Sequence, residues 1–209
     1  MRVVGVDGTK SGWVAIELEN GRFVADYLLR PVETPFDEVA RASVIAIDVP
    51  IGYGPREADR AARRFLGSAA SRVFVIPGVD VLTAPFGPGL GVSAQAHALG
   101  PRIVHVTTLA GADSRFHEVH PEVSFRAMNG GEPLRYRKKE AGGVLERLEL
   151  LGRHGIELPR LDAAAAVPLD DVVDAAAAAW SAHRIATGAA RSLPDPPQVL
   201  DGRRVAIWY

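Results

Sequence analysis

Asp7 closes the apolar run Val3-Val4-Gly5-Val6, Asp48 closes Val44-Ile45-Ala46-Ile47, and Asp170, Asp171 and Asp174 open a stretch continued by Ala175 to Ala179. A carboxylate placed where a buried strand leaves its sheet is unfavourable unless it meets a cation or a hydrogen-bond network. Several that converge suit a hard divalent cation. The chemistry such a cluster points to is that of phosphate esters. Taken singly, each aspartate has a plainer explanation: Asp7 before Gly8 and Asp48 near Pro50-Ile51-Gly52 suit turns, and Asp170 or Asp171 suits the first turn of a helix. That explanation weakens for two aspartates at matching strand ends. It weakens too for Asp174, a poor helix former one turn into a helix and beside small alanines.

The elements that would position these side chains follow from periodicity. Residues 2 to 7 read as a strand buried on both faces, and Val14 to Leu18 and Phe23 to Leu28 as partners joined through Asn20-Gly21, a strong type I′ hairpin signal. Thr34-Pro35 can open a short helix through Arg41, and Ser43 to Asp48 is a second apolar strand. Strand, hairpin, crossover and strand make the first and fourth strands parallel, so Asp7 and Asp48 share the carboxyl edge, where open α/β sheets bind ligands. A basic helix from Arg56 to Leu66, an irregular stretch, and a helix containing Gln95 to Leu99, capped by Ser93 and followed by Pro101, read as an insertion. The loop from Pro85 to Gly91 lacks the Gly-Lys-Ser/Thr ending of a P-loop and is expected to be a mobile flap at the crevice mouth. Further on, Val144, Leu145, Leu148 and Leu151 form a helical stripe, and so do Val173, Ala176, Ala177 and Trp180 in a helix from Asp170 to Ala189.

Ser114 to His120 alternates as a half-buried strand, with Phe116, Glu118 and His120 on one face and His117 and Val119 on the other. His117 and His120 therefore do not make a zinc pair. Glu118 reads equally well as a salt bridge at a strand exit and as a catalytic group. Arg135 to Glu140 is the densest basic run, and Arg60, Arg63 and Arg64 make a second patch. A solvated face is the default for both, and phosphate binding follows only if they flank the carboxylates.

Composition narrows the classes. The 209 residues suit one domain with a core of its own; 47% hydrophobic and 23% charged residues are those of a globular protein, and a formal charge of −1 gives no global pull toward nucleic acid. With no cysteine, disulfides, thiolate zinc sites and cysteine nucleophiles are excluded. The opening passes straight into a strand with no charged leader, and no membrane-length apolar run occurs, so an unprocessed cytoplasmic protein without a membrane partner is expected.

The aspartate in a first strand, the acidic residue ending the fourth and the acidic pair on a late helix resemble the ribonuclease H-like superfamily. Asp171-x-x-Asp174-Ala175 resembles the ending found in its Holliday-resolvase branch. More closely, GVDGTKSGWVAI from Gly5, IAIDVPIG from Ile45, EVHPEVSF from Glu118, RKKEAGG from Arg137, DDVVDAAAAAW from Asp170 and the terminal IWY are similar to an uncharacterised family of predicted RNase H-like nucleases, the domain of unknown function 429. The resemblance spans nearly the whole chain. It implies an α/β fold, a mixed five-stranded RNase H-like sheet flanked by helices, as a single domain over 1–209 with an insertion at about 53–112. It further implies a phosphodiester hydrolase using two Mg²⁺ or Mn²⁺ ions about 4 Å apart, with nucleic acid or another phosphoester as substrate. Asp7 would bridge the ions, Asp48 with one or both of Asp171 and Asp174 would complete the ligands, Glu118 would add a ligand or orient water, and Lys138 or Lys139 would face the scissile phosphate.

Two other readings compete. Gly8-Thr9-Lys10-Ser11 after an aspartate also resembles the phosphate-binding start of actin-like phosphotransferases, but those duplicate their fold and this chain has no second such strand. A non-catalytic binding module on the same scaffold is favoured by the near-neutral charge and opposed by retention of every acidic position.

Overall fold

The computed structural model describes residues 1–10, 12–30, 36–200 and 202–209. Its central sheet has five strands, β1 (Arg2–Thr9), β2 (Gly12–Glu19), β3 (Arg22–Leu29), β4 (Val44–Ile47) and β5 (Phe116–Glu118), in the order β3-β2-β1-β4-β5. The pairs β1/β2 and β2/β3 are antiparallel, while β1/β4 and β4/β5 are parallel. The β2–β3 hairpin turns on Asn20 and Gly21, with φ of 51° and 81°, the two positive values a type I′ turn requires. The helix expected from Thr34-Pro35 begins outside the described residues, and the described part holds a 3₁₀ turn at Asp37–Val39.

Seven α-helices are described: α1 (Glu57–Leu66), α2 (Val79–Thr83), α3 (Ala94–Ala98), α4 (Gly100–Ala112), α5 (Pro121–Met128), α6 (Ala141–Arg153) and α7 (Leu169–Ala186). Between β4 and β5 the chain leaves the sheet through α1 to α4 and a 3₁₀ stretch at Gly67–Arg72. Ser93 caps α3 by accepting the Ala96 N–H, and Pro101 marks a new start, in the first turn of α4. No helix is long and apolar enough to cross a membrane among the described residues.

The two sheet faces have separate cores. Val3, Val44 and Ala46 face α5, α6 and α7, whereas Val4, Val6, Ile45 and Ile47 face the other way, toward Ile76, Leu82, Ile103 and Val106. Strand alternation thus decides the fate of every side chain at the carboxyl edge. α7 is buried on every side from Val172 to Ala182, so it is a central helix and not the one-sided amphipathic element the Val173-to-Trp180 stripe predicts. Gly5 explains its closeness. A Cβ there would overlap the Ala179 nitrogen and the Ala175 carbonyl oxygen, so only glycine lets the helix backbone rest on β1.

Two further expectations need correction, and one element was not expected. The inward face of α6 carries Gly143, Arg147, Leu150 and Leu151, and Leu145 is 67% exposed, because Arg147 turns inward to pair with buried Glu122. The strand expected through His120 stops at Glu118, since His120 becomes the N-cap of α5. A terminal hairpin, β6 (Ser192–Leu200) and β7 (Arg203–Trp208), went unrecognised behind Pro194, Pro196 and Pro197, and its Trp208 bridges Val119 beyond β5.

Candidate metal centre

Asp7 sits near the end of β1 and Asp48 directly after β4, with the Asp48 N–H donating to the Val6 carbonyl at 2.9 Å. The parity of β1 puts Asp7 on the same face as Val3 and Gly5, and that of β4 continues from Val44 and Ala46 to Asp48. Both therefore face α7. That helix crosses the sheet with its N-terminal turns over the carboxyl edge and delivers Asp174 to the same place. One carboxylate oxygen from each of Asp7, Asp48 and Asp174 lies within 4.8 Å of the others, the only such group among the described residues.

Burial and mutual repulsion dominate the electrostatics. Desolvation raises the Asp7 pKa well above its ordinary value, and the charges of Asp48, Asp174 and Asp171 raise it further. Asp48 is pushed up to about 6, again chiefly by burial, with His120 pulling the other way. Asp174 is raised by burial against the opposing pull of Lys138. The three acids share one ammonium, and their close carboxylate oxygens could hold a metal ion. The donors are all hard oxygens, matching Mg²⁺ or Mn²⁺ and not a softer metal. Asp7 Oδ1 accepts the Gly8 N–H at 2.7 Å and Asp174 Oδ2 receives Lys138 Nζ at 2.7 Å, so each keeps its second oxygen for a ligand role.

The other expected residues fall into two groups. Asp171, half-buried one turn before Asp174, stands outside the trio but close enough to add to the repulsion on Asp7; its own pKa is raised by burial and by Asp170. Lys138 joins the cluster. Burial works against its charge, but Asp174, with Asp7 and Asp48 beyond it, raises its pKa above the ordinary value. Lys139 is exposed and lies 3.8 Å from Asp170. Glu118 is placed elsewhere. It is in register with Ile47, whose side chain points to the opposite core, so Glu118 turns to buried Arg56 and accepts the Ile51 N–H at 2.7 Å. Asp59 shares that guanidinium at 2.8 Å, and burial pushes Glu118 up to about 7 despite Arg56. The geometry gives Glu118 the salt-bridge alternative.

His120 Nδ1 accepts the Glu122 N–H and Nε2 faces the Arg72 carbonyl oxygen, an arrangement that fits a proton on Nε2 and leaves no free base. His117 packs edge-on to Trp208, and burial lowers its pKa. Of the basic runs, Arg137, Lys138 and Lys139 line a cavity of about 950 Å³ above the carboxylates, together with Arg72 and Arg102. The Arg60/Arg63/Arg64 patch does not line it, since Arg60 and Arg64 pair with Glu57 and Arg63 donates to the Val73 carbonyl. Pro85 to Gly91 also lie outside the lining, which takes Gln95 and Leu99 instead.

Sequence reasoning missed Arg56, Arg102, Phe74 and the Arg72–Glu122–Arg147 network. Arg102 donates to the Thr9 carbonyl, lies over the Trp13 ring at 5.2 Å, and would meet a Cβ on Gly8 at 2.9 Å. The small residue after Asp7 was its one local signal. Nothing near Arg56 or Arg147 in the chain announces a buried guanidinium. Fold and site define an α/β protein with a buried carboxylate cluster at the carboxyl edge of a mixed sheet. The chain belongs to the family described as protein of unknown function (DUF429), whose profile matches residues 5–199. No curated protein and no solved structure matches it.

Proposed function

We propose that the protein is a divalent-metal-dependent phosphodiester hydrolase with an RNase H-like fold. The observation that carries this is the convergence of Asp7, Asp48 and Asp174 from two parallel strand ends and one helix, with oxygens within 4.8 Å, at the floor of a cation-lined cavity. The mixed five-stranded sheet is consistent with that fold. A bound Mg²⁺ or Mn²⁺ would lower the pKa of its water and offset charge on a phosphate.

In the reaction we propose, Asp7, Asp48 and Asp174 would hold the cation, and Asp171, at the edge of the set, would be a further acceptor. The Gly8 N–H fixes one Asp7 oxygen and so orients the other. Lys138 neutralises Asp174 before substrate arrives and meets a phosphate oxygen afterwards, its raised pKa keeping it charged. Arg56 holds the Glu118 carboxylate and donates to the Ile51 carbonyl, while Glu118 accepts the Ile51 N–H, a positioning role for the loop that follows β4. The test is hydrolysis of bis(p-nitrophenyl) phosphate and of a nucleic-acid panel in Mg²⁺ or Mn²⁺. Wild type should turn over, and Asp7→Asn should not, with an unchanged far-UV spectrum. Equal turnover by the two proteins sinks the proposal.

One observation favours a second reading, a non-catalytic phosphoester-binding module: the Lys138 ammonium already sits on Asp174 at 2.7 Å and partly does a metal's work. If neither cation raises the melting temperature, that reading replaces the first.

A further inference from the structure

The cleft above the carboxylates has walls of unlike character. On one side lies the basic loop, where Arg137 is exposed with no ion-pair or side-chain hydrogen-bond partner among the described residues and Lys139 reaches Asp170 only at 3.8 Å. The segment after α1 lines the same cavity and contributes Phe74, half-buried against the core that holds Ile76 and Ile103 and with no aromatic partner among the described residues. Leu99 from between α3 and α4 lines it too and packs on the same core as Phe74. The volume of about 950 Å³ is at the top of the ~300–1,000 Å³ range of small-ligand clefts. A duplex presents one phosphate charge per ~1.7 Å and is bound along an extended basic track. Here the net charge is −1, and the Arg60/Arg63/Arg64 patch lies outside the cleft with its charges engaged. Glu118, Glu122 and Asp59 also line the cleft but are paired with Arg56, Arg72 and Arg147, so exposed Arg137 and the loosely paired Lys139, in one cavity with an apolar ring, are the combination that binds single strands, phosphates on the cations and a base on the ring.

We infer that the cleft takes a short single-stranded nucleic-acid segment, with backbone phosphates on Arg137 and Lys139, one base against Phe74, and the phosphodiester to be cleaved over Asp7, Asp48 and Asp174. The inference rests on the hydrolase reading of those carboxylates. Its occupant is a strand of two or three nucleotides at a time, admitted because its bases are unpaired. Duplex is excluded by the walls and not by sequence.

The experiment measures binding by fluorescence anisotropy in Ca²⁺, a hard cation for the carboxylate oxygens, using labelled hexathymidylate, an abasic strand with the same number of phosphates, and a twelve-base-pair duplex. Wild type should bind hexathymidylate about tenfold more tightly than the abasic strand and more tightly than the duplex. Phe74→Leu, which keeps an apolar side chain against the core but removes the π-face, should bring the ratio of the two strands to about one. Arg137→Gln, at an exposed and unpaired position, should weaken both strands by the same factor. Duplex binding as tight as hexathymidylate, or a base preference that survives Phe74→Leu, overturns the inference. Hydrolysis of bis(p-nitrophenyl) phosphate by wild type in Mn²⁺ separates the two failures. With hydrolysis but no strand preference, only the substrate assignment falls; without hydrolysis, the reaction assigned to the cleft falls with it.

Discussion

Replacing Asp48 with asparagine removes one charge from a cluster that the metal-free protein holds together against repulsion. Burial lifts the Asp48 carboxyl from 3.8 to about 6, so keeping it ionised at pH 7.5 costs about 1.36 × (6 − 3.8), or about 3 kcal/mol, of folding stability. The groups acting on it are His120 and Lys138, which favour the charge, and Asp174 and Glu122, which oppose it. The asparagine amide must find partners in the same place, so the expected gain for metal-free Asp48→Asn is about 2 kcal/mol, or roughly 4–8 °C in melting temperature. The sign with pH follows from a folded pKa above the unfolded one. The stabilisation from protonation is complete below about pH 4 and is lost as pH rises through about 6, so the advantage of the variant is full at pH 7.5 and mostly gone by pH 4.5. Adding Mg²⁺ should reverse the order, since a site saturated a hundredfold above its Kd stabilises wild type by about 2.7 kcal/mol and the variant by little. Thermal melts at both pH values, with and without Mg²⁺, decide it. A metal-free variant less stable than wild type at pH 7.5, or equal Mg²⁺ shifts in both proteins, would refute the reasoning.

Lys138→Met should bind Mn²⁺ more tightly than wild type by calorimetry, because the competing ammonium leaves Asp174, while turnover falls by about 10² if the lysine meets phosphate. Glu118→Gln should retain turnover within a few-fold, since Glu118 faces Arg56 and not the cluster, whereas Asp174→Asn should lose it; a steady-state assay of both variants compares them directly. Arg56→Met should cost about 3–5 kcal/mol in urea melts by leaving Glu118 and Asp59 buried without their cation. Gly5→Ala should destabilise by about 3 kcal/mol or more, because the obstacle is the backbone of α7 and not a side chain that can move aside.

The elements nearest the site were the easiest to read from sequence, for a physical reason. β1 and β4 are short apolar runs ending in aspartate, the hairpin carries Asn-Gly, and α7 announces itself by alanines that allow a close approach. Each of these signals is local. What failed depended on partners distant in the chain. The inward face of α6 includes Arg147, whose place is decided by Glu122 in α5, so a rule that looks for apolar stripes selects Leu145 and misses it. The prolines of β6 hide a strand because pairing with β7 resumes on either side of a register shift between Leu193 and Gln198. Phe74 lies in a stretch with no periodicity, and only the folded chain brings it into one cavity with the basic loop.

Glu118 shows how far residue type and strand position carry the argument, and where register takes over. It ends a parallel strand at the same sheet edge as Asp7 and Asp48, and by type and position it has an equal claim to the cluster. Registration against Ile47 instead of Ala46 turns it to the other face, where the only way to bury it is to bring a guanidinium, and Arg56 at the N-terminus of α1 supplies one. That pairing ties the start of the excursion between β4 and β5 to the sheet, through the Ile51 carbonyl and N–H that Arg56 and Glu118 hold. The chain that follows supplies Arg72, Phe74 and Leu99 to the cleft. A single register choice therefore does two things: it keeps a fourth carboxylate out of the cluster, and it anchors the segment that walls the cluster in. Loosening the anchor should weaken hexathymidylate binding without touching the three aspartates. Glu118→Ala, which leaves Arg56 with Asp59 alone, is the variant that reads this out by anisotropy, and an unchanged affinity would show that the wall stands without it.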